Sequence, residues 1–342
     1  MIRFCSNTLL RILIAPGIFL GVLFSQIVSE SVPVHTYSIV AYDEETGELG
    51  VAVQSHWFSV GSLVPWAKAG VGAVATQSFV KVEYGPEGLL RMENGQSAQE
   101  ALNGQSAQEA LNGLISEDSG ESVRQVAMID VHGNVAAHTG SKCIYAAGHL
   151  IGKNYSVQAN LMDKESVWPA MAKAFEGAEG DLAEKMMMAL EAAEIEGGDI
   201  RGKQSAAMLI VSGDPTGVAW KDIVLDLRVD DHAEPLNELR RLIRIHRAYQ
   251  HANKGDHLLE KDDIEKALIE YEKASELYPE NPELPYWAAI TMASKGNLDK
   301  ALPIFLDVFK REPRLRTLTP RLVNSGLLPN DKQMLKQILE VR

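Results

Sequence analysis

The chain has 342 residues, of which 46% are hydrophobic, and a formal net charge of −13; this is enough length and apolar content for two folded units with ordinary cores. No basic run offsets the acidic balance, which argues against sequence-independent phosphate binding, so no nucleic-acid partner is expected. Nothing in the composition points to disorder.

At the start, Arg3 and Arg11 flank and precede an apolar run from Ile12 to Phe24 that is interrupted by Pro16 and Gly17. The run is too short to span a bilayer comfortably, and Ser29-Glu30-Ser31 offers small residues at the positions a signal peptidase reads. Residues 1–31 are therefore expected to be a signal peptide. The mature protein would be exported, periplasmic or extracellular, with no stable membrane insertion after processing. Cys5 would leave with the leader, so Cys143 would stand alone and no internal disulfide could form.

Beyond the leader, Val32-Pro33-Val34-His35 precede Thr36. Thr36 to Ala41 and Leu49 to Ser55 are two short runs rich in strand-forming residues, separated by an acidic turn containing Gly47, which predicts an antiparallel hairpin. A further apolar run covers Ala69 to Gln77, after a loop around Gly61. From Pro86 to Leu114 the composition is helical. Within it, Asn94 to Leu102 is repeated without change as Asn103 to Leu111. A nine-residue unit present twice is no solenoid, and two and a half helical turns cannot keep both copies on one face, so one copy is expected to cap a helix or loop out.

Strand character returns at Gln125–Asp130, Val135–Gly140 and Tyr155–Asn160. Two helices follow between Ser166 and Ala193, separated near Gly180, and the last strands are Ser205–Val211 and Ile223–Val229. Strands, then helices, then strands again fit a layered α+β sandwich better than a regular βαβ alternation. Pro235 to Tyr249 reads as a basic amphipathic helix able to link two domains. After it, Ala267 and Ala301, Tyr271 and Phe305, and Pro279 and Pro313 are each 34 residues apart. With Gly255 and Ala274, this spacing resembles the tetratricopeptide repeat, and Leu315 to Arg342 would supply a capping helix or a degenerate third unit. The expected organisation is a leader at 1–31, an α+β domain at 35–247 and an all-α repeat domain at 248–342.

Several residues are candidates for chemistry. A Thr at a free amino terminus can act as nucleophile with its own α-amine as base, which makes Thr36 the leading candidate if processing exposes it. The alternative is a β-branched residue that simply starts a strand. Asp199, Arg201, Gln204 and Ser205 follow Gly197-Gly198 in a loop that runs into a strand. There a carboxylate and a guanidinium could be positioned beside a reacting amide, with Gln204 or a backbone amide donating to an oxyanion, although an Asp–Arg pair holding the loop shut fits equally. Ser55, Gln77 and Asn160 each end a small apolar strand where side chains can line a pocket mouth. His138, Thr139 and Cys143 are read as core-facing rather than as a Cys–His pair. Asp230-Asp231-His232 point to alternate faces of a strand and cannot all hold one ion, so neither metal nor cofactor is expected.

Taken together, His35–Ala41, Gly50–Val53 with Ser55, Val64–Gln77, Ala137–Gly140 with Cys143, Gln158–Asn160, Gly197–Ala207 and Val229–His232 resemble, in order, the domain of unknown function 1028, a family placed in the N-terminal-nucleophile hydrolase superfamily. The resemblance spans Thr36 to about Arg244. It implies a four-layer αββα sandwich and amide-bond hydrolysis by a terminal Thr, Ser or Cys at the start of a strand. On that basis Thr36, Asp199, Arg201 and Gln204 are expected catalytic residues, and Ser55, Gln77, Asn160 and Ser205 substrate-binding ones. The expected partners are a small amide or peptide-like substrate and a protein or peptide at the helical repeats. The rival expectation is a non-catalytic scaffold that uses the same fold and its repeats to engage a peptide or envelope partner. No oligomeric state is legible in the sequence.

Overall fold

The computed structural model describes residues 32–94, 106–261 and 263–341. The leader at 1–31 and nearly all of the first copy of the duplication lie outside the described residues. The chain divides into two compact units between Leu236 and Asn237.

The first unit contains two antiparallel sheets. One is built from β1 (Val32–Val34), β4 (Pro65–Lys68), β5 (Gly72–Val80), β6 (Arg124–Asp130) and β7 (Val135–Thr139), in the order β1-β5-β6-β7 with β4 also pairing β5. The other comprises β2 (Thr36–Tyr42), β3 (Leu49–Ser55), β8 (Gly148–Gly152), β9 (Tyr155–Ala159), β10 (Ser205–Val211) and β11 (Ile223–Val229), in the order β11-β10-β3-β2-β9-β8. The expected hairpin is β2–β3, with Thr36 opposite Ser55 and Tyr42 opposite Leu49. Three strands escape the sequence pattern for physical reasons: β1 is short and holds Pro33, β4 starts at Pro65, and β8 starts and ends in glycine.

The period of two along each strand sorts the side chains. Val40, Val51, Val53, Ala73, Ala75, Ala127 and Ile129 meet between the sheets in one buried apolar cluster. The outer face of the β5–β6 sheet is covered by α1 (Tyr84–Asn94) and α2 (Ala107–Glu117), with Val74, Val126 and Met128 packed against Leu89, Leu111 and Leu114. Ser106 of the second repeat copy caps α2: its hydroxyl accepts from Glu109 N while Glu109 reaches back to the Ser106 amide. On the other sheet, α3 (Val167–Gly177) packs on β8 and β9, and α4 (Leu182–Glu196) on β2 and β3. Gly50 lets α4 approach closely there: an added Cβ would lie 2.8 Å from Met186 Cε, so the methionine end would have to shift.

The helix α5 runs from Pro235 to Glu260 and contains the division between the units. In the second unit, α6 (Ile264–Leu277) and α8 (Leu298–Arg311) start and end 34 residues apart, and are followed by α7 (Glu283–Ser294) and α9 (Pro313–Leu318), with α10 (Lys332–Leu339) last. Equivalent positions share equivalent burial: Ala267 and Ala301 are fully enclosed, as are Tyr271 and Phe305 to within 2%. Among the described residues no helix is long and apolar enough to cross a membrane.

Within this unit Glu270 is an enclosed carboxylate that accepts from His251 Nδ1 at 2.5 Å and Lys254 Nζ at 2.9 Å, with Lys273 3.5 Å away. The hydrogen bonds from His251 and Lys254 hold its carboxyl down to about 2, from an ordinary 4.5. A depressed carboxylate stabilises the fold above its unfolded value and loses that contribution as the pH falls through the folded one. Glu270→Gln is therefore expected to lower the unfolding free energy by about 1–2 kcal/mol at pH 7, discounted for the half-exposed lysines. The gap to the unmodified protein should close between pH 4.5 and pH 2, read by chemical denaturation across that range.

Candidate functional site

Between the two sheets the apolar layer gives way, toward the start of β2, to a layer of fully buried polar side chains: Thr36, Ser38, Ser55, Gln77, Gln125, Gln158 and Asn160. All lie on inward-facing strand positions or one residue beyond them, so the same alternation that builds the core also assembles this layer. Buried amides must find partners or cost about 1–3 kcal/mol each, and here they find one another. Gln77 Oε1 accepts from Ser38 Oγ at 2.6 Å, and its Nε2 donates to Gln125 Oε1 at 2.7 Å and to Thr36 O at 3.2 Å. Asn160 Nδ2 donates to Gln125 Oε1 at 2.8 Å, and the Asn160 amide N–H donates to Thr36 O at 3.1 Å. Gln158 Nε2 donates to Ser38 Oγ at 2.6 Å.

These contacts fix Thr36 through its own carbonyl, while its hydroxyl donates to Val34 O at 3.1 Å. The peptide bond just before it is held as firmly. His35 O accepts from Ser55 Oγ at 2.6 Å and from Arg201 Nη2 at 2.8 Å. Two donors converging on one carbonyl oxygen form the arrangement that stabilises negative charge at that atom.

Arg201 owes its place to Asp199. Gly197 and Gly198 take φ of +128° and +58°, values that favour glycine, as the chain leaves α4 and turns into Asp199. The enclosed Asp199 carboxylate accepts from Arg201 Nε at 3.0 Å and Nη2 at 2.6 Å, a bidentate pair that also takes the Arg201 amide at 2.9 Å. Asp199 thus aims Arg201 without touching the His35–Thr36 peptide. On the outer face of the sheet, Tyr37 OH donates to Glu194 Oε2 at 2.8 Å, locking the start of β2 to α4; burial, then the nearby carboxylate, raise the phenol far above its ordinary range.

The His35 ring is also enclosed. Its Nδ1 lies 2.8 Å from Asn160 Oδ1, and the ring stands edge-on to Phe79 with centroids 5.6 Å apart. Burial lowers its pKa, only partly opposed by the Asn160 hydrogen bond. Backbone strain is present here: Ser78 and Leu161, the residues following Gln77 and Asn160, take left-handed φ of +72° and +60°.

Of the residues singled out from the sequence, Thr36, Ser55, Gln77, Asn160, Asp199 and Arg201 converge on this one place. Two do not contribute side chains to it. Gln204 Nε2 donates to Asp231 Oδ1 at 3.1 Å at the surface, whereas the side chains that donate to His35 O are those of Ser55 and Arg201. Ser205 accepts from Val60 N at 3.1 Å and donates to Trp57 O, securing the loop after β3. Ser38, Gln125 and Gln158, which are not among the candidate site residues, also belong to the layer; the trace they leave in the sequence is a glutamine or serine standing inside an apolar strand. His138 Nε2 bonds Glu121 O and Cys143 Sγ bonds Arg124 O, so these two side chains have different partners. Asp230, Asp231 and His232 bond Ser59, Gln204 and the Glu234 amide respectively. A cavity of about 1170 Å³ opens at the far end of the strands, where Lys68, Asp130, His132 and Asp222 line it, away from Thr36.

The model of a family of unknown function, DUF1028, matches residues 36–239. The crystal structure of protein SPO2555 from Silicibacter pomeroyi, assigned to the same family, is similar at 31% sequence identity and a TM-score of 0.53, over 61% of this chain and 85% of that one. No curated protein matches the sequence.

Two outcomes test the polar layer. Gln77→Ala is expected to reduce the unfolding free energy by about 2–3 kcal/mol, because it removes the amide that donates to Gln125 Oε1, Thr36 O and Gln158 O; urea denaturation should give a lower midpoint at unchanged slope. His35 and His149 both have burial-lowered pKa values, so the unfolded chain binds more protons below pH 6.5 and stability falls as the pH drops through that range. In protein that retains residue 35, His35→Phe keeps a ring beside Phe79 and should flatten part of this slope in thermal melts between pH 7 and pH 5.

Proposed function

The chain belongs to the DUF1028 family of unknown function, and on that footing we propose that it is an amide- or peptide-bond hydrolase of the N-terminal-nucleophile type, with Thr36 as nucleophile once the residues before it are removed. The observation that carries this reading is the clamp on His35 O. That carbonyl belongs to the one peptide bond whose cleavage would free the Thr36 amine. The family match beginning at Thr36 agrees with it.

In this mechanism the freed α-amine, ordinarily of pKa about 7.7–8, takes the proton of Thr36 Oγ as the oxygen attacks a substrate carbonyl carbon. Ser55 Oγ and Arg201 Nη2 donate to the oxyanion as the tetrahedral intermediate forms. Asp199 is a positioning residue that holds the guanidinium in plane. Gln77 and Asn160 hold Thr36 by its carbonyl, so the nucleophile does not move as bonds change. The ammonium returns its proton to the leaving amine, the C–N bond breaks, and water then hydrolyses the acyl ester on Thr36.

The helix pairs on the outer face of each sheet support a four-layer αββα sandwich for this domain. The 34-residue offset of α6 and α8 supports a tetratricopeptide-like module engaging a protein or peptide partner. The charged, apolar and small-residue order of 1–31 supports export by a signal peptide.

Chain prepared to start at Thr36 should hydrolyse members of a panel of acyl-amino-acid anilides, whereas Thr36→Ala should abolish turnover. Ser55→Ala and Arg201→Met should each lower kcat about 10²–10³-fold with folding intact by circular dichroism. Amino-terminal sequencing of protein exported by its own host should read Thr36 first. A mature chain that keeps residues before Thr36 would remove the base and leave the non-catalytic scaffold as the reading.

A further inference from the structure

The residues before Thr36 do more than block its amine. Val32–Val34 form β1, antiparallel to the edge of β5, with Val32 opposite Val80, Pro33 opposite Phe79 and Val34 opposite Ser78. Val34 is fully buried in the apolar layer between the sheets. His35 then places its ring between Asn160 and Phe79 and its carbonyl oxygen between Ser55 and Arg201. A strand pairing, an apolar slot, a ring slot with one polar contact and a carbonyl clamp are thus filled in sequence by one extended tetrapeptide ending at the proposed nucleophile.

We propose that this tetrapeptide occupies the acyl-side binding site of the enzyme. The substrate is an extended peptide that adds as a short antiparallel strand to the β5 edge at Ser78–Val80, with a buried aliphatic side chain and then a ring-bearing residue at the bond to be cut. The proposal rests on Thr36 being the nucleophile and names the substrate class of that same site. Main-chain pairing along a sheet edge supplies affinity that depends little on sequence, while the slots for alternate side chains supply selectivity. The chemistry balances as for any amide: Thr36 Oγ bonds to the acyl carbon, its proton passes by way of the α-amine to the departing amine, and one water releases the peptide acid.

The test uses two forms of the full chain, one starting at Thr36 and one starting at Val32, with acetyl-Val-Pro-Val-His as probe and its p-nitroanilide as substrate. The Thr36-first form should bind the probe saturably in calorimetry, and the Val32-first form, whose slots are filled, should bind at least tenfold more weakly. The anilide should be cleaved with kcat/KM at least tenfold above acetyl-His p-nitroanilide, which lacks the strand-forming residues. Phe79→Ala in the Thr36-first form should raise KM for the tetrapeptide without a matching loss of kcat. Equal binding to both forms, or no preference for the tetrapeptide in a protein that cleaves simple acyl anilides, overturns the subsite and leaves the nucleophile standing. Selective binding to the Thr36-first form with no cleavage upholds the subsite and overturns the nucleophile.

Discussion

A glutamine placed between two sheets has no water to turn to, and that constraint organises the end of this domain where β2 begins. Gln77, Gln125, and Gln158 with Asn160 come from three different stretches of chain, and all four are fully enclosed. Because amides both donate and accept, they satisfy one another in a connected network, and the network closes on Thr36 O from two sides. A site supported this way is rigid for the same reason that it is stable: moving any member leaves a buried donor or acceptor without a partner.

The second support is electrostatic. Asp199 and Arg201 pair bidentately, and because Asp199 is wholly enclosed the pair is screened little by solvent. What the pair delivers is a fixed N–H direction. Arg201 spends two of its nitrogens on Asp199 and still reaches His35 O, so the positive group beside the clamped carbonyl is already oriented. Strained backbone at Ser78 and Leu161 marks the same place, as expected where packing forces a conformation that the local sequence does not prefer.

The two units differ in how openly they declare themselves. In the helical unit contacts are mostly between neighbouring elements, so a period of 34 in small and aromatic residues carries over directly into α6 and α8. In the sheet unit the strand order brings residue 36 beside 160 and residue 55 beside 205. No local pattern encodes those neighbours. Long-range pairing also explains why β1 carries no local strand signal: its three residues are held as a strand only by the β5 edge.

The sequence by itself determined the hairpin at Thr36, most of the strands and helices, and the short list that held Thr36, Ser55, Gln77, Asn160, Asp199 and Arg201, because each stands in the sequence where an apolar run meets a polar residue or follows a glycine turn. Which of these act together was decided only by the tertiary structure. Gln204 and Ser205 neighbour Arg201 in the chain, yet Gln204 turns to the surface and Ser205 to the loop after β3, whereas Gln125, more than seventy residues from Arg201, joins the site through the network. The physical reason is that side-chain direction is set by strand register and by the partner a buried polar atom must reach, and both depend on chain segments distant in sequence.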